Sequence, residues 1–167
     1  VMEYLKLYEK DTKELVETAH KITEENFNGN VEFCSIISAK TGACTENCKY
    51  CAQSIHNHAN IEIHPMLSVE EVKTAALSAK ERGATRFAIV TSGRKLKDRD
   101  FEIVLDMIRA VSNIEGLKCC ASLGLLNEEE MRKIKEAGCD RYNHNINTSE
   151  NYYSKICTTH NFKDRIN

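Results

Sequence analysis

The chain has 167 residues, 41% of them hydrophobic and 29% charged, with a formal net charge of −2 at pH 7. This is the composition of an ordinary globular chain with room for one core, and it sets disorder aside. Lysines and arginines are scattered rather than striped, which excludes a composition-level case for nucleic acid or an acidic membrane surface and favours a small ligand.

The N-terminal stretch VMEYLKLYEKDTKEL is charged within its first residues. No run approaches the roughly 18 consecutive apolar residues that a membrane span needs, so a cytoplasmic protein is expected. Leu5, Tyr8, Leu15, Ala19 and Ile22 recur mostly three or four apart and predict one or two amphipathic helices over residues 3–26, ending before Asn28-Gly29. A short β-branched run, VEFCSII, predicts a first strand over 31–37. Directly behind it, GACTENCKYCAQS sets Cys44, Cys48 and Cys51 at a C-x3-C-x2-C spacing.

Ser68 and Glu71 form a capping box that opens a helix closed by Gly83. TRFAIV, 85–90, is the second strand. A helix over 98–112 carries Ile103, Met107, Ile108 and Val111 on one side. KCCASL, 118–123, is the third strand, and Asn127 with Glu130 caps the next helix, which Gly138 ends. RYNHNI, 141–146, is the fourth strand. A last helical stretch starts near Ser149, and NFKDRIN reads as a charged helix.

This order predicts an α/β fold of parallel strands with helical crossovers, preceded by an N-terminal helical extension over 1–30. Four βα units are half of a (β/α)8, TIM-type barrel, and 1–167 reads as a single domain and a fragment of a longer chain. The polar residues gather behind the strands: the cysteine loop after the first, Thr91-Ser92-Gly93 after the second, Leu123-Gly124 after the third, and 143–148 after the fourth. Parallel sheets place their active sites there.

The chain has eight cysteines. Without a signal peptide they are expected to stay reduced, which points to metal or redox chemistry before disulfides. Cys34, Cys139 and one of Cys119 and Cys120 also fit as small buried hydrophobes. Three clustered thiols are one short of a closed zinc site, for which His56, His58 or His64 is the candidate fourth ligand of a non-catalytic zinc module. The other reading is a 4Fe–4S cluster held by three thiolates, with one iron left open to a substrate or cofactor.

The C-x3-C-x-Tyr-C loop after a first strand resembles the signature of the radical S-adenosylmethionine enzymes. SAKTGACTENCKYCAQS, TRFAIVTSGR, ASLGLL and YNHNINTS resemble, in order, the N-terminal half of the biotin synthase family, over roughly residues 12–167. The resemblance implies a radical S-adenosylmethionine barrel. It also implies that Cys44, Cys48 and Cys51 hold the 4Fe–4S cluster, which cleaves S-adenosylmethionine to a 5′-deoxyadenosyl radical. That radical removes hydrogen from dethiobiotin, and sulfur then bridges the carbons.

Tyr50 is expected beside the adenine, and Thr91 and Ser92 near the methionine end of the cofactor. Asn143 and Asn145 share one face of the fourth strand by the period of two, with Asn147 next in line, and suit a ribose and a ureido group; His144 is expected to point away. At Asn147 the family carries an acid. An auxiliary iron–sulfur cluster is implied, with Cys120 as a ligand and Arg86 lining the same cavity. A second family ligand falls on Ala88, so a differently ligated auxiliary cluster is expected. A flavodoxin or ferredoxin would supply electrons, and a homodimer is a candidate assembly of the full-length protein. The rival enzymes of the same branch are hydrogenase-cofactor maturases and methylornithine synthases. As half a barrel, the chain alone is expected to turn over little.

Overall fold

A computed structural model describes residues 5–167. It divides into two compact units, Val1–Glu32 and Phe33–Asn167. The first holds a short 3-10 turn, Lys6–Glu9, and helix α1, Thr12–Phe27. Asp11 caps α1 by accepting from the Lys13 amide, and Asn28 ends it in the left-handed region at φ 49°, which asparagine tolerates better than most residues. Residues 3 and 4 of the expected helix lie outside the described residues.

The second unit alternates strand and helix: β1 Cys34–Lys40, α2 Val69–Glu81, β2 Arg86–Thr91, α3 Asp98–Ser112, β3 Lys118–Ser122, α4 Glu128–Glu136, β4 Cys139–Tyr142, α5 Glu150–Ile156 and α6 Phe162–Ile166. All strand pairs are parallel, in the order β1-β2-β3-β4. The capping boxes at Ser68/Glu71 and Asn127/Glu130 both form as their spacing predicts. A third, Asn161/Asp164, opens α6.

One face of the sheet is covered by helices. Phe87 and Ile89 of β2 and Cys119 and Ala121 of β3 pack with Val72, Ala76 and Ala79 of α2 and with Val104, Ile108 and Val111 of α3. The strand side chains alternate and the helix positions recur at three or four, so both patterns point into one layer. Each large apolar side chain fully buried there contributes about 1.5–3 kcal/mol.

The opposite face carries rows set by the strand register. Cys34, Arg86 and Lys118 form one row, and Ile36, Ala88, Cys120 and Arg141 the next.

Two strands depart from the sequence expectation. β1 begins at Cys34, three residues late, because the Phe33 carbonyl is taken by the amides of Thr85 and Arg86 and pairing starts with Cys34 against Arg86. β4 stops at Tyr142 rather than residue 146. Its partner β3 ends at Ser122, so beyond the bond from the Asn143 amide to the Ala121 carbonyl the ladder has nothing to pair with. Cys34 is exposed, not a buried hydrophobe, Cys139 is half-buried, and Cys119 belongs to the core. Among the described residues no helix is long and apolar enough to cross a membrane.

Candidate functional site

The cysteine loop leaves the C-terminal end of β1 through Gly42 and Ala43, both left-handed at φ 75° and 52°. At Gly42 a Cβ would lie 2.7 Å from Ile63 Cγ1, so only glycine fits this exit. The loop's backbone is then pinned at each cysteine. The Cys44 amide donates to Gln53 O at 3.1 Å, and the Ile55 amide donates back to Cys44 O at 2.9 Å. Asn57 Nδ2 donates to both Cys48 O and Cys51 O, at 2.9 and 2.8 Å. The Ser54 hydroxyl donates to Glu46 O at 2.6 Å. Fixing a ligand loop in this way before anything binds removes ordering cost from the binding step.

Ser92 ties this loop to the next strand end, its hydroxyl donating to Gly42 O at 2.7 Å. It therefore supports the loop, whereas its neighbour Thr91 faces a cavity of about 190 Å³ between the strand ends. Tyr50, Asn143, Asn145 and Asn147 share that cavity. Thr91 Oγ1 is buried with no hydrogen-bond partner among the described residues. Such orphaned groups are rare and ask for an explanation, of which a ligand is one.

The asparagines reach the cavity by a different route from the one their spacing suggests. They stand on an irregular segment after β4, with Asn147 left-handed at φ 73°, so no strand periodicity sorts them. His144 accordingly lines the cavity with them instead of pointing away, stacks near Tyr142, and shares a hydrogen bond with Arg165 O. Tyr142 ties β4 to the turn after β3: its hydroxyl donates to Gly124 O and accepts from the Leu123 amide. Burial pushes its phenol up to about 12. Gly124 itself is left-handed, and a Cβ there would meet Arg94 O at 2.3 Å.

On the sheet face below, Ala88 and Cys120 are cross-strand partners and both are buried. The Arg86 guanidinium lies 3.8 Å from Cys120 Sγ and is paired with Asp140. Arg86 thus stands beside Cys120 and in a salt bridge with Asp140. Its hydrogen bond, and then its charge, hold the Asp140 carboxyl below the ordinary aspartate value.

Two residues that the sequence patterns do not mark, Cys157 and His160, stand against the cysteine loop. The turn between α5 and α6 brings Cys157 Sγ to 3.7 Å from Cys48 Sγ and to 3.2 Å from His160 Nδ1. Glu46 Oε2 bonds to His160 Nδ1. Asn47 holds the turn by accepting from the amides of Thr158 and Thr159 at 2.9 and 3.2 Å. Among the described residues, Cys48, Cys157 and His160 are the one group of potential ligands whose donor atoms all lie within 4.8 Å. Of the three histidines weighed as zinc ligands, His64 bonds with Thr41 Oγ1 and Pro65 O and His56 with Thr45 O, while His58 lines an open pocket together with Cys51. Burial, then the neighbouring Cys157 thiol, pushes Cys48 up to about 11. Burial works the same way on Cys157, but donors from Thr159, His160 and Cys48 outweigh it and bring that thiol below its ordinary value.

The donor chemistry of the loop fits a cubane. Iron–sulfur clusters take cysteine thiolates, whose sulfurs surround a cluster rather than a single ion. Cys44 and Cys48 are buried and Cys51 half-buried on one pinned loop, with an orphaned hydroxyl in the cavity beside the strand ends.

The Radical SAM superfamily model matches residues 38–167. The chain is similar to the biotin synthase of Acetivibrio thermocellus, at 46% identity over 149 residues, which is 89% of this chain and 47% of the relative. It is 46% identical to the biotin synthase of Rickettsia felis over 92% of this chain and 50% of that one. The Clostridium perfringens (strain 13) biotin synthase is 40% identical over 98% and 51%. The chain thus spans about half the length of the curated relatives it matches. Solved structures share its fold as well. Methylornithine synthase, PylB, superposes at TM-score 0.75 and 20% identity over 94% of this chain and 47% of its own. HydG, a maturase of the FeFe-hydrogenase, gives 0.73 and 19% over 94% and 36%.

Proposed function

This chain belongs to the Radical SAM superfamily, and we propose that it carries the first four βα units of a barrel that inserts sulfur into dethiobiotin. The observation that supports this most is the pinned three-thiol loop at the end of β1, in a chain 40–46% identical to relatives named biotin synthase. In this reading Cys44, Cys48 and Cys51 hold a 4Fe–4S cluster. When bound, the cluster and S-adenosylmethionine supply the radical chemistry that removes hydrogen from unactivated carbons.

The chain's own residues then bind, orient and shield. Gly42 and Asn57 hold the thiols in place, and Ser92 keeps the loop on β2. Thr91 offers its unpartnered hydroxyl to the cofactor, Tyr50 its ring, and Asn145 and Asn147 their amides to the ribose. Asn147 replaces an acid with an amide, which removes a charge-assisted bond to the sugar. Asn143 and Asn145 present both donors and acceptors to a ureido group.

The sulfur source in this reading is an auxiliary iron–sulfur cluster that uses Cys120, with Arg86 beside it. Ala88 leaves Cys120 as the only thiol of its cross-strand row, so the remaining ligands differ from the usual set. A small electron carrier of the flavodoxin or ferredoxin kind would reduce the first cluster, and a homodimer is the assembly we assign to the complete protein.

The test is anaerobic reconstitution of the full-length gene product, with iron and sulfide counted and biotin formation from dethiobiotin measured. More iron than one cubane holds, with biotin formed, is expected. A single cubane with no sulfur transferred would overturn the reading.

A further inference from the structure

Cys157, His160 and Glu46 take no part in the proposed reaction, yet Cys157 and His160 form with Cys48 the one group of potential metal ligands among the described residues whose donor atoms all lie within 4.8 Å, and Glu46 bonds to the His160 ring. We propose that Cys48, Cys157, His160 and Glu46 form a binding site for a thiophilic divalent cation of the zinc type, and that this ion competes with the iron–sulfur cluster for Cys48.

The geometry carries the proposal. Zinc takes sulfur and imidazole ligands in a tetrahedron, and two Zn–S bonds of about 2.3 Å at the tetrahedral angle put their sulfurs about 3.8 Å apart. Cys48 Sγ and Cys157 Sγ are 3.7 Å apart. His160 Nδ1 and Nε2 lie 3.2 and 3.8 Å from Cys157 Sγ, bracketing the roughly 3.6 Å expected between a sulfur and a nitrogen on the same ion. Glu46, bonded to the same ring, is the nearest oxygen donor and would turn from Nδ1 to the ion as fourth ligand. The four residues are nearly sequestered, at 4–9% exposure, where a charge is costly unless it is paired or bound to a metal.

The positions of these groups are also held. Asn47 fixes the Cys157–His160 turn through the Thr158 and Thr159 amides, and the Lys49 amide donates to Ile156 O at 2.9 Å. A cavity of about 530 Å³ runs past Cys157 and His160 and gives an ion its way in. Two contacts on the ring oppose binding: His160 Nδ1 donates to Glu46 Oε2, so its proton must move to Nε2 before Nδ1 ligates, and Arg165 Nη2 sits 3.3 Å from Nε2. A guanidinium only donates, so it favours an unprotonated Nε2 and must swing aside when Nδ1 ligates. Binding deprotonates two thiols, and their protons leave to solvent.

The site itself does not depend on the cluster reading. Only the competition rests on it, since an ion that holds Cys48 leaves the loop two thiols for iron.

The test uses the full-length protein purified anaerobically with iron chelated. Zn2+ affinity is measured by competition with a chromophoric chelator, and Co2+ is used as a spectroscopic probe. One ion per chain is expected, with the intense visible bands of four-coordinate, thiolate-bound Co2+. C157S and H160A should weaken it at least tenfold, and C44A should leave it within twofold. R165A should bind more tightly than wild type. Equal affinity in C157S and wild type overturns the site, as does loss of binding in C44A, which would place the ion on the three-cysteine motif.

Preloading with Zn2+ should slow cluster assembly in wild type but not in C157S. Equal slowing in both overturns the competition. Failure of cluster assembly without any zinc counts against the cluster reading alone.

Discussion

Asn47 and Thr158 hold each other by two hydrogen bonds: Asn47 Oδ1 accepts from the Thr158 amide at 2.9 Å, and Asn47 Nδ2 donates to the Thr158 hydroxyl at 2.6 Å. They are 111 residues apart and join the cysteine loop to the turn before α6. Each such bond contributes about 0.5–1.5 kcal/mol net. N47A is expected to cost about 1–2 kcal/mol and to abolish the hydrogen-exchange protection of the Thr158 and Thr159 amides. Unchanged protection would mean that the turn is held by its own backbone.

Thr91 gives a prediction of opposite sign in stability and binding. Its hydroxyl is buried without a partner, and an unsatisfied buried polar group costs about 1–3 kcal/mol. T91V, nearly the same shape, is expected to raise the denaturation midpoint of the ligand-free protein while weakening S-adenosylmethionine binding several-fold in calorimetry. Loss of stability would show that the hydroxyl has a partner in solution.

Ser92 acts on the loop and not in the cavity. S92A removes its bond to Gly42 O and should lower stability by about 1 kcal/mol in chemical denaturation. S-adenosylmethionine affinity of the reconstituted protein is expected to change less than in T91V. The reverse order would return Ser92 to the cofactor site.

Gly124 is constrained twice, by its φ of +86° and by Arg94 O, 2.3 Å from where a Cβ would stand. Because the obstacle is backbone, it cannot rotate away. G124A should cost at least about 2 kcal/mol and displace the Tyr142 hydroxyl from Gly124 O, which a shift in the tyrosine's ultraviolet absorbance would report.

The Arg86–Asp140 pair predicts a pH dependence. Arg86 holds the Asp140 carboxyl below its ordinary 3.8, so in the folded state the proton binds less readily than in the unfolded state. The pair's contribution is therefore complete at neutral pH and is lost as pH falls through that depressed value. Asp140 is partly exposed, its side chain at 42%, so screening keeps the effect small. The stability gap between wild type and D140N should be flat from pH 7 to 5 and narrow towards pH 3. A gap that widens on acidification would give the shift the wrong sign.

Local signals were legible where the chain's own chemistry decides. Ser68/Glu71 and Asn127/Glu130 needed only neighbours three residues away, and both capping boxes form. The 98–112 helix keeps the bounds that its apolar period and flanks predict. The resemblance of the three-cysteine loop led to the Radical SAM superfamily, to which the chain belongs. The strand ends were less legible, because a strand stops where its partner stops: Ser122 ends β3, and with it β4, four residues before the sequence pattern runs out.

The sequence by itself determined the element order, the parallel architecture and the three-thiol loop, because helix caps, apolar periods and motif spacing are short-range properties of the chain. Only the tertiary structure decided which groups meet. It moved Asn143, Asn145 and Asn147 off a strand and onto an irregular segment, joined His144 to them, and separated Thr91 from Ser92. It also brought Cys157 and His160 to Cys48 across more than a hundred residues. No spacing along the chain encodes that meeting: the sheet register and the Asn47 clasp bring those side chains together, and both exist only once the strands have paired.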